Sequence, residues 1–301
     1  MERPLSSREE EETLVVADVL HRGALSIGAV SSSARLDSEL LLASVLGISR
    51  TLLLVNSDKP LPPVAVDVFA GLIERRKKGE PTAYILGYRE FWGLDFNVNL
   101  SVLVPRPDSE LLVEEAVKFA KNRESLSFVD LGVGSGCLSI SIIVELQKRR
   151  CDARCVGVEI SSAAIEVAQG NAKRHGVDDR VRYTLGNWFE TREQFSPPYD
   201  LIVANPPYVD RSEKLPVELS YEPPKALFAG QRGLAEVVKI IEQSSEMLRP
   251  GGLLLVEVGA GKRERLPEIL APFHERYEIE YLGDDSAFDR FTVLKMTRKA
   301  S

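Results

Sequence analysis

Asn205-Pro206-Pro207-Tyr208 follows Asp200-Leu201-Ile202-Val203-Ala204, a run with the composition of a buried strand. Open α/β sheets bind ligands at the carboxyl ends of their strands, so these four residues stand where chemistry is expected. Two consecutive prolines fix the backbone and remove two donors, which leaves the Pro206 carbonyl free to accept a bond. The Asn205 side chain offers a second oxygen beside it. Two fixed acceptors at that separation suit the two hydrogens of one –NH₂ group, and Tyr208 offers a flat face to a planar amide or base. The nitrogen of an amide or aryl amine is a poor nucleophile because its lone pair is delocalised. Acceptors on both N–H groups pull density back onto nitrogen and aim the lone pair at an electrophile. No strong base is needed, because the proton leaves once nitrogen turns cationic. Taken alone, the four residues also fit a rigid proline turn with a packed Tyr.

A second constellation lies upstream. Asp130-Leu131-Gly132-Val133-Gly134-Ser135-Gly136 stands between a short apolar strand, Phe128 to Leu131, and a helix from Leu138 to Arg149. Glycines there permit a tight turn and the close approach of a ligand. Glu159 ends the next strand, Arg154 to Val158, and a carboxylate at that place accepts both ribose hydroxyl hydrogens. The spacing is not that of a dinucleotide fingerprint, whose third Gly falls where Cys137 stands. The electrophile that completes the chemistry is then a sulfonium methyl held by the glycine loop.

Two kinds of element must position these residues. Short apolar strands at Phe128–Leu131, Arg154–Val158, Val181–Leu185, Leu201–Ala204 and Leu253–Val258 alternate with helices, among them Ala163 to Arg174. That pattern predicts a parallel sheet covered on both faces, with right-handed crossovers. Two last strands, near Tyr277–Tyr281 and Phe291–Met296, have no helix between them and share the turn Gly283-Asp284-Asp285, which predicts a closing antiparallel pair. Residues 1–80 read as a separate helical domain. Val15, Val16, Val19 and Leu20 recur at helical spacing, and Asp37 reads as the cap of a helix through Leu40 to Leu46 that stops near Gly47. A further helix, Val64 to Lys78, turns Val68, Leu72 and Ile73 to its apolar face and ends on Arg75-Arg76-Lys77-Lys78, which suits a solvated C-terminal cap. Residues 81–105 form a linker, in which Phe91 to Val98 alternates as a hairpin around Gly93. The α/β domain occupies 106–301.

Composition bounds the rest. The 301 residues are 44% hydrophobic and 28% charged, which excludes disordered, collagenous and coiled-coil classes. A net charge of −7 argues against a general polyanion binder, so no direct nucleic-acid binding is expected. Three cysteines exclude a disulfide framework. No apolar run is long enough to span a membrane, and Met1-Glu2-Arg3-Pro4-Leu5 followed by Glu9 to Glu12 is no signal peptide, so a cytoplasmic protein is expected.

The two constellations together resemble the S-adenosylmethionine-dependent amino-methyltransferases, and more narrowly the release factor glutamine methyltransferase family (PrmC/HemK). The resemblance runs almost end to end. It takes in Leu41-Leu42-Ala43 to Gly47, Tyr84-Ile85-Leu86-Gly87 with Phe91 and Phe96, and Val104-Pro105-Arg106-Pro107-Asp108-Ser109-Glu110. It continues through Asn187-Trp188-Phe189 and Tyr221-Glu222-Pro223 with Ala226-Leu227. It implies a Rossmann-like class I methyltransferase sheet behind a small helical domain that selects the substrate. Gly132, Val133, Gly134, Ser135 and Gly136 would surround the methionine part of S-adenosylmethionine, Glu159 its ribose, and Trp188 would lie near its adenine. Asn205 would meet cofactor and substrate, with Pro206, Pro207 and Tyr208 completing the substrate site; Asn205, Pro206 and Tyr208 carry the catalysis. The implied substrate is the glutamine of the Gly-Gly-Gln tripeptide in class I peptide chain release factors, and the implied product N5-methylglutamine. The family often has Asp where Glu159 stands and an acid where Asn187 stands; neither change removes an acceptor.

Three other functions compete. A related family methylates a glutamine of a ribosomal protein, but its motif after the linker usually reads Arg-Ser-Pro, against Arg106-Pro107-Asp108 here. An adenine-N6 nucleic-acid methyltransferase would use the same turn, yet would need basic surface for phosphates. A non-enzymatic cofactor-binding scaffold would have no use for two aimed acceptors. No metal is expected, because Cys151 and Cys155 have no His nearby and His21, His175 and His274 are scattered. Cys137 reads as a small buried residue, Arg106 as a substrate contact or the partner of an acid, and Glu222 as part of a lid or the anchor of a turn. A monomer is expected.

Overall fold

The computed structural model describes residues 14–188, 190, 194–210, 212–230, 233–259, 261–283 and 292–300. Met1 to Glu12, Phe189, Asp284, Asp285 and Phe291, each used above, lie outside the described residues. The chain divides into two compact units. The first is Met1–Leu86 together with Pro216–Tyr221, and the second is Gly87–Leu215 with Glu222–Ser301.

In the first unit, α1 (Val16–Ile27), α2 (Ala34–Leu46), α3 (Arg50–Val55), α4 (Pro63–Lys77) and α5 (Thr82–Leu86) follow one another. Leu20, Ile27, Leu41, Leu42 and Leu53 form its fully buried centre. Helix α2 stops at Gly47, whose φ of 64° is the left-handed C-cap conformation that glycine adopts without strain. Two expectations need correction. Asp37 is not a cap: α2 begins at Ala34, and Asp37 lies buried in its first turn. Nor is the basic run of α4 wholly solvated. Arg76 is 2% exposed, and its guanidinium bonds Asp37 at 2.9 Å and Glu218 at 2.7 Å. Period decides this. Ala65, Phe69, Ile73 and Arg76 share one helical face, while Val68 turns out to solvent. The long Arg stem continues the apolar stripe, and its charge is answered by two carboxylates.

The second unit carries a seven-stranded sheet. Its strands are β3 (Ser125–Leu131), β4 (Asp152–Glu159), β5 (Val181–Leu185), β6 (Tyr199–Ala204), β7 (Leu248–Val258), β8 (Tyr277–Leu282) and β9 (Thr292–Arg298). Their order is β5-β4-β3-β6-β7-β9-β8. The first five are parallel, and β9 runs antiparallel to both β7 and β8. This is the predicted α/β sheet with its closing antiparallel pair. Alternate residues serve opposite faces. Phe128, Leu201, Val203 and Leu253 join α6 (Glu110–Phe119), α7 (Cys137–Lys148) and α8 (Ser162–Arg174) in one core. Val129, Ile202, Ala204 and Leu254 join α10 (Ala235–Ser244) and α11 (Leu266–Leu270) in the other. Helix α9 (Pro224–Leu227) is a single turn before them. Both faces are buried, so the strands read as continuous apolar runs.

The expected hairpin is β1 (Tyr88–Phe91) with β2 (Leu94–Asn97), turned by Trp92 and Gly93 at φ 54° and 71°. Two successive positive φ values make the tight turn whose twist matches the strands. Among the described residues, no helix is long and apolar enough to cross a membrane.

The Asp37–Arg76 pair yields a test. Asp37→Ala strips a buried guanidinium of a carboxylate, a change that costs about 3–5 kcal/mol in comparable pairs. We expect a lower denaturation midpoint for the helical unit, read by circular dichroism in urea.

Candidate functional site

Strand pairing aligns the site. Leu131, the last residue of β3, stands opposite Val158 of β4 on one side and Ala204 of β6 on the other. The residues that follow each strand therefore emerge at one edge: the glycine loop, Glu159 with Ile160, and Asn205 with its prolines. A cavity of about 920 Å³ opens there. Of the predicted site residues, Gly132, Val133, Gly134, Ser135, Glu159, Trp188, Asn205, Pro206 and Pro207 line it.

The glycine loop is held by backbone conformation and by side chains at a distance. Gly132, Gly134 and Gly136 have φ of 84°, 55° and 83°, a region L side chains rarely adopt. A Cβ on Gly136 would also come within 2.8 Å of Ile140. Gly136 is thus the N-cap over which α7 starts and not part of the cavity wall. Asn171 of α8, fully buried, donates to the Ser135 carbonyl at 2.8 Å and to the Asn97 carbonyl at 3.0 Å. It also accepts from the Asn97 amide at 2.8 Å. One side chain so ties the glycine loop to the hairpin. No local pattern marks Asn171, because only folding brings α8 beside both segments.

Glu159 spans the loop. Its Oε2 accepts from the Gly134 amide and its Oε1 from the Ser161 amide, both at 3.0 Å. Each oxygen keeps a lone pair, so the carboxylate can still take two further donors. Asp130, completely buried beneath the loop, accepts from the Ser139 amide at 3.2 Å through one oxygen; the other has no partner among the described residues. Burial above all, with Glu159 adding like charge, pushes its carboxyl up to about 6. Trp188 takes φ 42° and sets its indole nitrogen within 3.9 Å of where a Cβ on Gly132 would stand. Asn187, also on the wall, donates its Nδ2 to Glu190 at 2.6 Å, which leaves Oδ1 as its outward acceptor. These features fit S-adenosylmethionine. The pocket has the size of a nucleoside-cofactor site, a carboxylate retains two acceptor positions at a strand end, and the loop has no side chains where the ligand must approach.

The Asn-Pro-Pro-Tyr turn divides its labour. Asn205 and the two prolines face the cavity, and Asn205 Nδ2 donates to Ser109 Oγ at 2.9 Å. Tyr208 does not line the cavity. Its ring occupies the space a Cβ on Gly259 would need, at 2.2 Å, and its hydroxyl donates to Glu257 Oε1 at 3.1 Å. One face of the half-buried ring therefore packs on Gly259. Glu257, 1% exposed on β7, also accepts from Ser109 Oγ at 2.6 Å. Burial first, and then Asp108, push the Glu257 carboxyl up to about 7 against the pull of its two hydrogen bonds and Arg106. Ser109 and Glu257 were not singled out as site residues by sequence. Ser109 lies in the Arg106 to Glu110 motif; Glu257, a charge inside an apolar strand, was the available signal.

Arg106 pairs with Glu222 at 2.5 Å, and Glu222 accepts from the Val104 amide at 3.1 Å. Arg106 thus has an acid partner, and Glu222 anchors the segment leading to Ser109. The Cys137 thiol is pushed up to about 12, first by burial, which makes it a poor nucleophile. Among the described residues, no group of three or more His, Cys, Asp or Glu side chains is placed to hold a metal ion.

A PrmC N-terminal domain model matches residues 18–87, and a methyltransferase domain model matches residues 114–278. A release factor glutamine methyltransferase of Geobacter sulfurreducens is 43% identical over 261 residues, 85% of this chain and 88% of that one. Its counterpart in Haemophilus influenzae is 34% identical over 274 residues, 87% of this chain and 92% of that one. Among solved structures, the hMettl16 catalytic domain in complex with a hairpin superimposes with a TM-score of 0.53. It covers 68% of this chain and 76% of that one at 16% identity, a likeness of fold.

Asn171→Ala should expose the role of the distal anchor. It leaves the buried Ser135 carbonyl unpaired, at a cost of about 1–3 kcal/mol, and releases the exposed Asn97 backbone from α8. We expect a lower thermal midpoint, measured by calorimetry, and weaker S-adenosylmethionine binding in the same preparation.

Proposed function

Because the chain belongs to the release factor glutamine methyltransferase family, we propose that it methylates the glutamine of the Gly-Gly-Gln motif in class I peptide chain release factors, with S-adenosylmethionine as methyl donor. The observation that carries this reading is one cavity with two walls of different chemistry. One is a glycine loop with a ribose-competent carboxylate, and the other is Asn205 with the Pro206-Pro207 turn. Asn205 Nδ2 is committed to Ser109, so its Oδ1 is the end that remains to accept from a substrate –NH₂. The Pro206 carbonyl is the second acceptor. Together they hold both amide hydrogens and turn the nitrogen lone pair toward the glycine loop.

S-adenosylmethionine would supply an electrophilic sulfonium methyl, its sulfur–methyl bond breaking to leave the neutral thioether S-adenosylhomocysteine as the amide nitrogen takes the methyl and gives up one proton to water. The protein's part is positioning and electrostatics. Acceptors aimed at N–H groups strengthen their hold as positive charge develops on nitrogen. Glu159 would hold the ribose, Asn187 would offer Oδ1 to the adenine amino group, and Trp188 would flank the adenine. The helical unit would select the release factor, and the net charge of −7 favours a protein over a polyanion as substrate. This activity belongs in the cytoplasm, where release factors work, and needs a single copy of the chain.

The test offers labelled S-adenosylmethionine with unmodified release factor, ribosomal protein and adenine-containing DNA side by side. Peptide mass spectrometry should place the label on the Gly-Gly-Gln glutamine; label on either other substrate overturns the assignment. Asn205→Ala should fold but lose about a hundredfold or more in kcat, as removal of one transition-state hydrogen-bond partner does. Glu159→Ala should instead weaken S-adenosylmethionine binding in calorimetry, with release factor affinity unchanged.

A further inference from the structure

We propose that Ser109 and buried Glu257 are positioning residues that set which end of the Asn205 amide faces the substrate. The proposal rests on the methyl-transfer reading above and adds a layer behind it.

The argument follows hydrogen atoms along one chain. Asn205 Nδ2 lies 2.9 Å from Ser109 Oγ, Ser109 Oγ lies 2.6 Å from Glu257 Oε2, and Tyr208 Oη lies 3.1 Å from Glu257 Oε1. A carboxylate only accepts, so ionised Glu257 draws the single hydroxyl hydrogen of Ser109 toward itself. The Ser109 oxygen then faces Asn205 with a lone pair. Only the amide's nitrogen end can meet a lone pair, so Oδ1 is left for the cavity. Tyr208 donates its own hydrogen to the second carboxylate oxygen. The four side chains thereby fix one another's polarity without touching the reacting atoms beyond Asn205.

Protonation of Glu257 would undo this. A neutral carboxyl can donate to Ser109 Oγ, which frees the Ser109 hydroxyl hydrogen to point at Asn205. The amide then gains by turning over, with Oδ1 to Ser109 and Nδ2 to the cavity. A substrate –NH₂ would meet a donor in place of an acceptor, the least favourable arrangement for the reaction. The titratable groups facing Glu257 come from several elements: Asp108 and Arg106 in the turn before α6, Tyr208 after β6, and the Cys137 thiol at the head of α7, which stays neutral in this range. Burial sets the carboxyl to about 7, inside the working range of pH. Folded-state pKa is here above the ordinary carboxylate value, so the active carboxylate form is gained as pH rises through about 7 and lost below it.

The experiment measures kcat at saturating S-adenosylmethionine and release factor from about pH 5.5 to 8.5, where an essential base reports its ionisation. Wild type should show an acidic limb with its midpoint near 7 and fall about tenfold per unit below it. Glu257→Gln, of equal size, puts a donor –NH₂ where one of the two accepting oxygens stood, so Ser109 and Tyr208 can no longer both donate to it. It should lower kcat about tenfold or more at the alkaline end and abolish the limb. Ser109→Ala should lower kcat comparably, and Ser109→Thr, which keeps the hydroxyl, should restore it. The double variant should lose no more than the worse single one, because the residues act in series. A merely structural pair would move the thermal midpoint and leave the pH limb in place. An unchanged limb in Glu257→Gln, or kcat within about twofold of wild type in Ser109→Ala, overturns the proposal.

A second readout needs no turnover. Carbon-13 NMR of the Glu257 carboxyl and nitrogen-15 NMR of the Asn205 side-chain amide should titrate together, and Ser109→Ala should uncouple them. A wild-type protein that shows this coupling yet methylates no release factor would overturn the substrate assignment and support the positioning relay. Methylation of release factor without the coupling would keep the assignment and overturn the relay.

Discussion

Everything at the site depends on the pairing of β3 between β4 and β6. Leu131 is opposite Val158 and Ala204, so three strand ends finish level. A shift of one residue would turn every side chain of a strand to the opposite face, and both faces here are packed cores. The register is therefore held by two hydrophobic clusters at once, with Phe128 and Val203 on one side and Val129 and Ile202 on the other. The glycine loop, Glu159 and Asn205 inherit their positions from that packing. None of the three is placed by its own hydrogen bonds alone.

A second layer of polar anchors refines what the register sets coarsely. Asn171 ties the Ser135 carbonyl to the hairpin, Glu222 ties Val104 and Arg106 into the segment before Ser109, and Glu257 takes hydrogen bonds from Ser109 and Tyr208. All three side chains are buried. In such surroundings an unpaired polar group is costly, so each anchor also penalises any displacement of the loop it holds. The carboxyls of Asp130 and Glu257, pushed up to about 6 and about 7, show the energetic tension of carboxyl groups kept in a dry setting. Apolar replacements would relieve that tension and lose the aim of the side chains they orient.

The helical unit follows the same physics with a different outcome. Arg76 looks like one of four solvated cations in the chain Arg75-Arg76-Lys77-Lys78. Helical period puts it on the face of Phe69 and Ile73, and there Asp37 and Glu218 neutralise it. Glu218 comes from the short segment Pro216–Tyr221, far along the sequence yet part of this unit. No local pattern links those residues. The same limit hid Asn171 and Ser109, whose partners are 74 and 96 positions away.

Reading the sequence alone determined the alternation of strands and helices, the closing antiparallel pair, the hairpin at Gly93 and the two motifs at strand ends. These are legible because they depend on period, glycine and proline chemistry, and composition within a few residues. The tertiary structure alone decided that Tyr208 packs on Gly259 away from the cavity, that Gly136 is a helix cap, and that Glu159 reaches the Gly134 and Ser161 amides. It also decided that a serine and a carboxylate from opposite ends of the domain meet behind Asn205. Such choices turn on which side chains find room and partners after the sheet has closed. Local propensity carries no information about partners that only long-range packing brings within hydrogen-bonding distance.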